Sequence, residues 1–290
     1  MERVKIFTDS CSDLPDDVLK KYNIEMLATP VRFGDEVYGD RKELSPIEFY
    51  KKLDESPELP KTSMITPDTF IKKFKKALSE GYKVLSINFS SELSGIYESA
   101  VIAKRNIASD DIHIIDSKSA SVGLGLSVYL AARALKEGKK LKEVIKLTKY
   151  NCSHMEHIFA VGSLNMLKKG GRISKGEALI GSVLNIKPIL HFQDGKILPY
   201  SKTRGKKKML EFLLKTMEER GYNFREQIIG INYSGDPELA EEVKNMIKDK
   251  YGIEDYLISE IGAAIGAHVG RNTVSVFFLN KEQVANVTVI

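Results

Sequence analysis

In Asn88-Phe89-Ser90-Ser91-Glu92-Leu93-Ser94-Gly95-Ile96-Tyr97-Glu98-Ser99-Ala100, four serines surround the point where an apolar run gives way to a helical pattern. Ahead of them, Lys83-Val84-Leu85-Ser86-Ile87 reads as a buried strand; behind them, Ile96, Ala100, Val101 and Lys104 recur at helical spacing. The hydroxyls therefore stand at a strand C-terminus and a helix N-terminus, where free backbone N–H groups and a partial positive charge suit a carboxylate or a phosphate. A helix cap accounts for one serine, and four in so short a span point to a ligand.

Outward from this point the chain alternates strand and helix. A strand over 4–7 is followed by Asp13-Leu14-Pro15, read as the cap and first turn of a helix running to 21. Two apolar runs within 24–38 flank Phe33-Gly34-Asp35-Glu36, a hairpin signal, and predict a small β insertion over about 22–58. Ser45-Pro46-Ile47-Glu48 is a capping box with proline in the first turn, and Thr66-Pro67 opens another helix, to 80. A strand over 112–115 and helices over 121–136 and 141–150 complete a parallel-sheet α/β unit. Asp9-Ser10, Ser90-Ser91 and Asp116-Ser117 each fall at a strand C-terminal end, the edge at which such sheets bind ligands.

A second α/β unit opens near His157, with strands over 188–192 and 196–200 around an Asp194-Gly195 turn. Helices over 206–219 and 237–251 then alternate with strands over 227–233 and 256–259, and 274–278 is a last strand. The expected architecture is two α/β domains, 1–156 and 157–290, the first a parallel sheet carrying the β insertion.

With 290 residues, 42% hydrophobic and 29% charged, the chain has the length and composition for two packed cores. Two cysteines, Cys11 and Cys152, make no disulfide framework, and the first residues run directly into a strand, so a cytoplasmic location is expected. The most apolar segment, 120–135, is broken by Ser121, Ser127 and Arg133 and is too short for a membrane span. A net charge of +5 suits a solvated lysine-rich surface and leaves anionic membrane surfaces and acidic partners open.

Most enzyme templates fail. Gly-x-Ser-x-Gly is absent; Gly171-Arg172-Ile173-Ser174-Lys175-Gly176 follows a phosphate-binding loop only until Glu177 replaces the required lysine; Gly123-Leu124-Gly125 lacks a third glycine at Val128. Cys152, His154 and His157 have ligand chemistry but no fourth partner for structural zinc. His268, the one titratable side chain in the small apolar run 262–270, suits a buried core histidine as well as a ligand contact.

The run 90–100 resembles the signature of the DegV family, bacterial fatty-acid-binding proteins, with Ile96 where the family usually has threonine. Thr8-Asp9-Ser10 with Asp13-Leu14-Pro15, Thr62-Ser63, Lys168-Lys169-Gly170-Gly171-Arg172-Ile173-Ser174 and Leu184-Asn185-Ile186-Lys187-Pro188-Ile189-Leu190 agree with it in order and spacing, over nearly the whole chain. The resemblance implies a long-chain fatty acid in an apolar tunnel, no other cofactor or metal, and no catalysis by the chain itself. It gives Thr62, Ser63, Ser91, Ser94 and His268 the ligand carboxylate. It gives Arg172, Lys202 and Arg204, expected as one exposed patch, the docking of a partner fatty acid kinase, which makes an acyl phosphate for phospholipid synthesis; some of these side chains would touch the membrane surface. A monomer without nucleic-acid partners is expected. Where the family follows its histidine with glycine-proline-glycine, Gly270 is here followed by Arg271-Asn272. Two alternatives come from other classes. One is a small acyl or phosphate hydrolase with Ser91 or Ser94 as nucleophile and His268 as base, and the other is a nucleotide-responsive module using the helix ends.

Overall fold

A computed structural model describes residues 2–173 and 185–280. The first half comprises β1 (Val4–Asp9), α1 (Asp16–Lys21), β2 (Glu25–Leu27), β3 (Pro30–Phe33), β4 (Glu36–Gly39), α2 (Pro46–Glu55), β5 (Lys61–Thr62), α3 (Pro67–Ser79), β6 (Lys83–Asn88), α4 (Ile96–Ile107), β7 (Ile112–Asp116), α5 (Ser121–Lys136) and α6 (Leu141–His154). The second comprises β8 (Met155–Ala160), α7 (Asn165–Lys169), β9 (Ile186–Gln193), β10 (Lys196–Arg204), α8 (Lys206–Arg220), β11 (Ile229–Tyr233), α9 (Pro237–Tyr251), β12 (Tyr256–Glu260), α10 (Ala263–Val269) and β13 (Val274–Leu279).

Local chemistry accounts for most of these limits. Ser45 accepts from the Glu48 amide at 3.3 Å while the Glu48 carboxylate accepts from the Ser45 amide at 3.0 Å, so the capping box starts α2 as its sequence requires. Thr66 caps α3. The β3–β4 hairpin turns at Gly34-Asp35, with Gly34 at φ 55, where a side chain would be strained.

Three sheets result. The first is wholly parallel, in the order β2-β1-β6-β7; a small antiparallel sheet, β4-β3-β5, is the insertion; the third is six-stranded and mixed, in the order β10-β9-β8-β13-β11-β12. The larger core extends from the parallel sheet into the second half, where Phe159, Leu190 and Phe277 join Ile87, Ile96 and Leu124. The two halves thus share buried apolar surface. No helix among the described residues is long and apolar enough to cross a membrane.

Two local expectations are corrected, the capping by Asp13 and the end of the strand that begins at 196. Asp13 does not cap α1, which begins at Asp16 without a side-chain cap. Asp13 sits at φ 49 and turns its carboxylate inward, toward Arg41, Ser121 and the Gly262 amide. A buried guanidinium and two buried donors outweigh one exposed helix end. The small apolar run 262–270 contains α10, and Lys168 and Lys169 belong to the last turn of α7; Ser174, Lys175 and Leu184 lie outside the described residues. Strand β10 continues to Arg204, so Lys202 and Arg204 stand on an edge strand, exposed on one face by the two-residue period.

Candidate functional site

The serine-rich rim is stitched together more than it is open. Asp9, fully buried at the end of β1, accepts from the Phe89 amide at 2.9 Å, and burial pushes its carboxyl up to about 6. Asp116, at the end of β7, accepts from the Ser91 and Lys118 amides at 3.2 and 3.1 Å. The Ser90 hydroxyl donates to the Gly195 carbonyl at 2.8 Å, tying the rim to the turn between β9 and β10.

Beside that rim lies a cavity of about 280 Å³, close to the lower end of the roughly 300–1,000 Å³ usual for small-molecule sites. Its body is apolar, with Phe89, Leu93 and Ile96 from the first half facing Phe159, Phe192 and Phe277 from the second. Its polar wall collects Thr62, Ser63, Ser94, Arg172 and His268, which come from the end of the insertion, the α4 approach, the segment after α7 and the last turn of α10. The exposed residues Ser63, Met64 and Gly95 mark the mouth.

His268 Nε2 lies 2.9 Å from Thr62 Oγ1. Burial first, and the charge of Arg172 second, hold its pKa down to about 4, so the imidazole is neutral at physiological pH. In the Nε2–H tautomer it donates to Thr62, and the threonine proton is then available to a ligand oxygen. Gly170 is needed here for proximity: a Cβ on it would stand 2.3 Å from His268 Nδ1. Arg172 donates from Nε to the Leu93 carbonyl at 3.1 Å and from Nη1 to the Gly170 carbonyl at 2.6 Å, which fixes the guanidinium at the cavity wall. The result is a neutral imidazole, three hydroxyls and one cation around an apolar space, a combination suited to a carboxylate carried by an apolar chain.

Four of the five carboxylate candidates, Thr62, Ser63, Ser94 and His268, therefore line one cavity. Ser91 stands apart, its hydroxyl accepting from Lys118 Nζ at 2.8 Å. Arg172, expected to be exposed with Lys202 and Arg204, is half-buried at the cavity wall, its guanidinium bonded to two carbonyls. Arg271, following Gly270, pairs with Asp54 at 2.6 Å and lies over the Tyr50 ring. Further polar residues at the cavity, His157, Asn232 and Ser275 among them, were not anticipated from the sequence. For Asn232 a signal existed: it is the one polar side chain in the strand Ile229-Gly230-Ile231-Asn232-Tyr233 apart from a terminal tyrosine.

A hydrolytic serine is poorly served. A nucleophile needs its base within hydrogen-bond reach, yet His268 is bonded to Thr62, and Ser91 is bonded to Lys118. Ser119 and His157 do form a pair at 2.5 Å, with His157 Nδ1 on the Met155 carbonyl at 3.0 Å, but burial lowers the His157 pKa to about 3, which makes it a very weak base. Among the described residues, no group of three His, Cys, Asp or Glu side chains is placed to hold a metal ion.

Residues 3–281 match the family model described as "Uncharacterised protein, DegV family". The chain belongs to the DegV family. A DegV domain-containing protein of Clostridium perfringens is 40% identical to this DegV protein over 286 residues, covering 96% of this chain and 98% of its own. A fatty acid-binding protein of Thermotoga maritima is 33% identical over 278 residues, 94% and 96% of the two chains. Among solved structures, a fatty-acid-binding DegV family protein from Thermus thermophilus superposes with a TM-score of 0.87 at 30% identity, covering 96% of this chain and all of its own. A stearic-acid-binding protein of Eubacterium ventriosum does so with a TM-score of 0.85 at 25% identity, covering 95% and 98%.

Proposed function

We propose that this DegV protein binds a long-chain fatty acid in the cavity and presents its carboxylate to a fatty acid kinase, which phosphorylates it to an acyl phosphate for phospholipid synthesis. The observation that carries the reading is the joining of one apolar cavity to a cluster of Thr62, Ser63, Ser94, Arg172 and His268 at its polar wall. Each buried methylene contributes roughly 0.8 kcal/mol, so an acyl chain of about fifteen carbons supplies on the order of 12 kcal/mol before ordering costs. The polar wall need only offset carboxylate desolvation, which hydroxyls, an imidazole and one guanidinium can do. In this reading the chain performs no chemistry itself and acts as a cytoplasmic bacterial monomer of two domains, 1–156 and 157–290.

Mass spectrometry of small molecules extracted from the purified protein tests the class directly, and a long-chain fatty acid is the expected finding. Ser94→Ala and His268→Ala should each weaken fatty-acid binding about tenfold to a hundredfold, the equivalent of roughly 1.5–3 kcal/mol per hydrogen bond to a charged group, and leave the fold intact. Unchanged affinity in both, together with serine-dependent hydrolysis of an ester or acyl phosphate, would replace the carrier reading with the hydrolase.

Lys202 and Arg204 are the exposed members of the proposed docking surface, and in this reading Arg172, at the cavity wall, serves the carboxylate. Exchanging Lys202 and Arg204 for glutamate should slow kinase association by about tenfold or more and weaken its salt dependence. Fatty-acid affinity should stay within about twofold, since neither side chain lines the cavity. Unaltered kinase association in stopped-flow at low salt would remove these residues from the interface.

A further inference from the structure

The cavity has a second polar point, on β11 rather than on α10. Asn232, only 1% exposed, lines it from β11, and its Oδ1 has no hydrogen-bond donor. The orientation of this amide is set by its neighbours. Asp13 faces Arg41 and accepts from the Gly262 amide at 2.8 Å, so its other oxygen takes the single proton of Ser121. Ser121 Oγ can then only accept, and it accepts from Asn232 Nδ2. The carbonyl oxygen of Asn232 must point away from that chain of bonds. Ser275, directly opposite Asn232 in the β11–β13 register, presents a second hydroxyl on the same face and also lines the cavity.

A buried acceptor without a donor is costly, and a purely apolar ligand leaves it so. Asn232 stands on β11, opposite β13, whereas His268 stands in the last turn of α10, so the two polar points belong to different walls of the cavity. We infer that the cavity takes acyl chains bearing one hydroxyl partway along, with that hydroxyl donating to Asn232 Oδ1 beside Ser275. This rests on the fatty-acid reading of the same cavity and names its substrate class more narrowly. A tunnel without such a point would reject the hydroxyl, because burying it unpaired forfeits its bonds to water.

The test is a calorimetric scan of saturated acids of one chain length, unsubstituted or carrying a single hydroxyl at successive carbons. At one mid-chain position the hydroxy acid should bind at least as tightly as the unsubstituted acid, and at the others at least about thirtyfold more weakly. Asn232→Leu should remove that optimum and lower the hydroxy-to-plain affinity ratio at least tenfold there. An optimum that survives in Asn232→Leu overturns the proposal. If this variant does not fold, the scan on the unchanged protein decides alone: hydroxy acids weaker at every position overturn it. Failure of the unsubstituted acid to bind would bring down the fatty-acid reading itself, a result distinct from loss of the mid-chain optimum.

Discussion

Asp13→Ala should destabilise the protein by about 3–5 kcal/mol, measured by denaturant unfolding, the usual cost of removing one partner from a buried ion pair. Asp13 is fully buried, and its oxygens serve Arg41 at 3.0 Å, the Gly262 amide at 2.8 Å and the Ser121 hydroxyl. Arg41 in turn reaches Ser259 at 3.2 Å and the Glu260 carbonyl, so one carboxylate joins the insertion, the parallel sheet and the second half. Removal leaves a guanidinium that is 9% exposed without its counter-charge. Asp13→Leu combined with Arg41→Met should lose less than Asp13→Leu alone, because the guanidinium is then not left without Asp13. Additive losses, or a single-variant cost under about 1 kcal/mol, would show that the pair is not the cross-link described here.

His157→Phe should alter the acid limb of the stability profile. In the folded protein the imidazole is buried against Phe192, with ring centroids 4.4 Å apart, and burial lowers its pKa from 6.5 to about 3. Below pH 6.5 the unfolded chain takes up a proton on this residue that the folded protein refuses until about pH 3. The contribution is therefore fully present above pH 6.5 and is lost on acidification at about 1.4 kcal/mol per pH unit. Asp9 and Asp40 act in the opposite sense. Burial, joined for Asp40 by the charge of Asp13, raises both carboxyls from 3.8 to about 6, so between these values the folded state holds protons that the unfolded chain has released. Between about pH 4 and 6 these two carboxyls together outweigh the one histidine, so only the comparison isolates it. Relative to His157→Phe, the unmodified protein should lose stability steadily below pH 6.5, reaching several kcal/mol near pH 3. Parallel profiles would contradict a neutral buried His157.

The alternating α/β framework was legible because its signals are local. The capping box at Ser45, the cap at Thr66, the Gly34-Asp35 hairpin and the helices 121–136 and 237–251 all depend on residues a few positions apart. The site was legible only in part, since its order is long-range. Asp13 read as a helix cap because nothing nearby in sequence announces Arg41 or Gly262. Arg172 read as surface charge, for the carbonyls that hold it belong partly to Leu93. At the start of α10, Ala263-Ala264-Ile265-Gly266-Ala267 looks like filler; its small residues instead allow approach, since a Cβ on Gly266 would stand 2.5 Å from the Phe49 ring.

The position of β13 bears on how the chain is made. It is the last described strand in sequence, yet it lies between β8 and β11 in the middle of the six-stranded sheet, paired antiparallel with both. During synthesis β8 and β11 emerge first and face each other across a gap of one strand, each with an open row of N–H and C=O groups. The ribosome must deliver residues 274–279 before either edge is covered. Phe277 also joins the larger core, so completion of the first half waits on the same few residues. The nascent chain therefore carries unpaired strand edges from the synthesis of β8 until β13 emerges, a period in which it is exposed to aggregation.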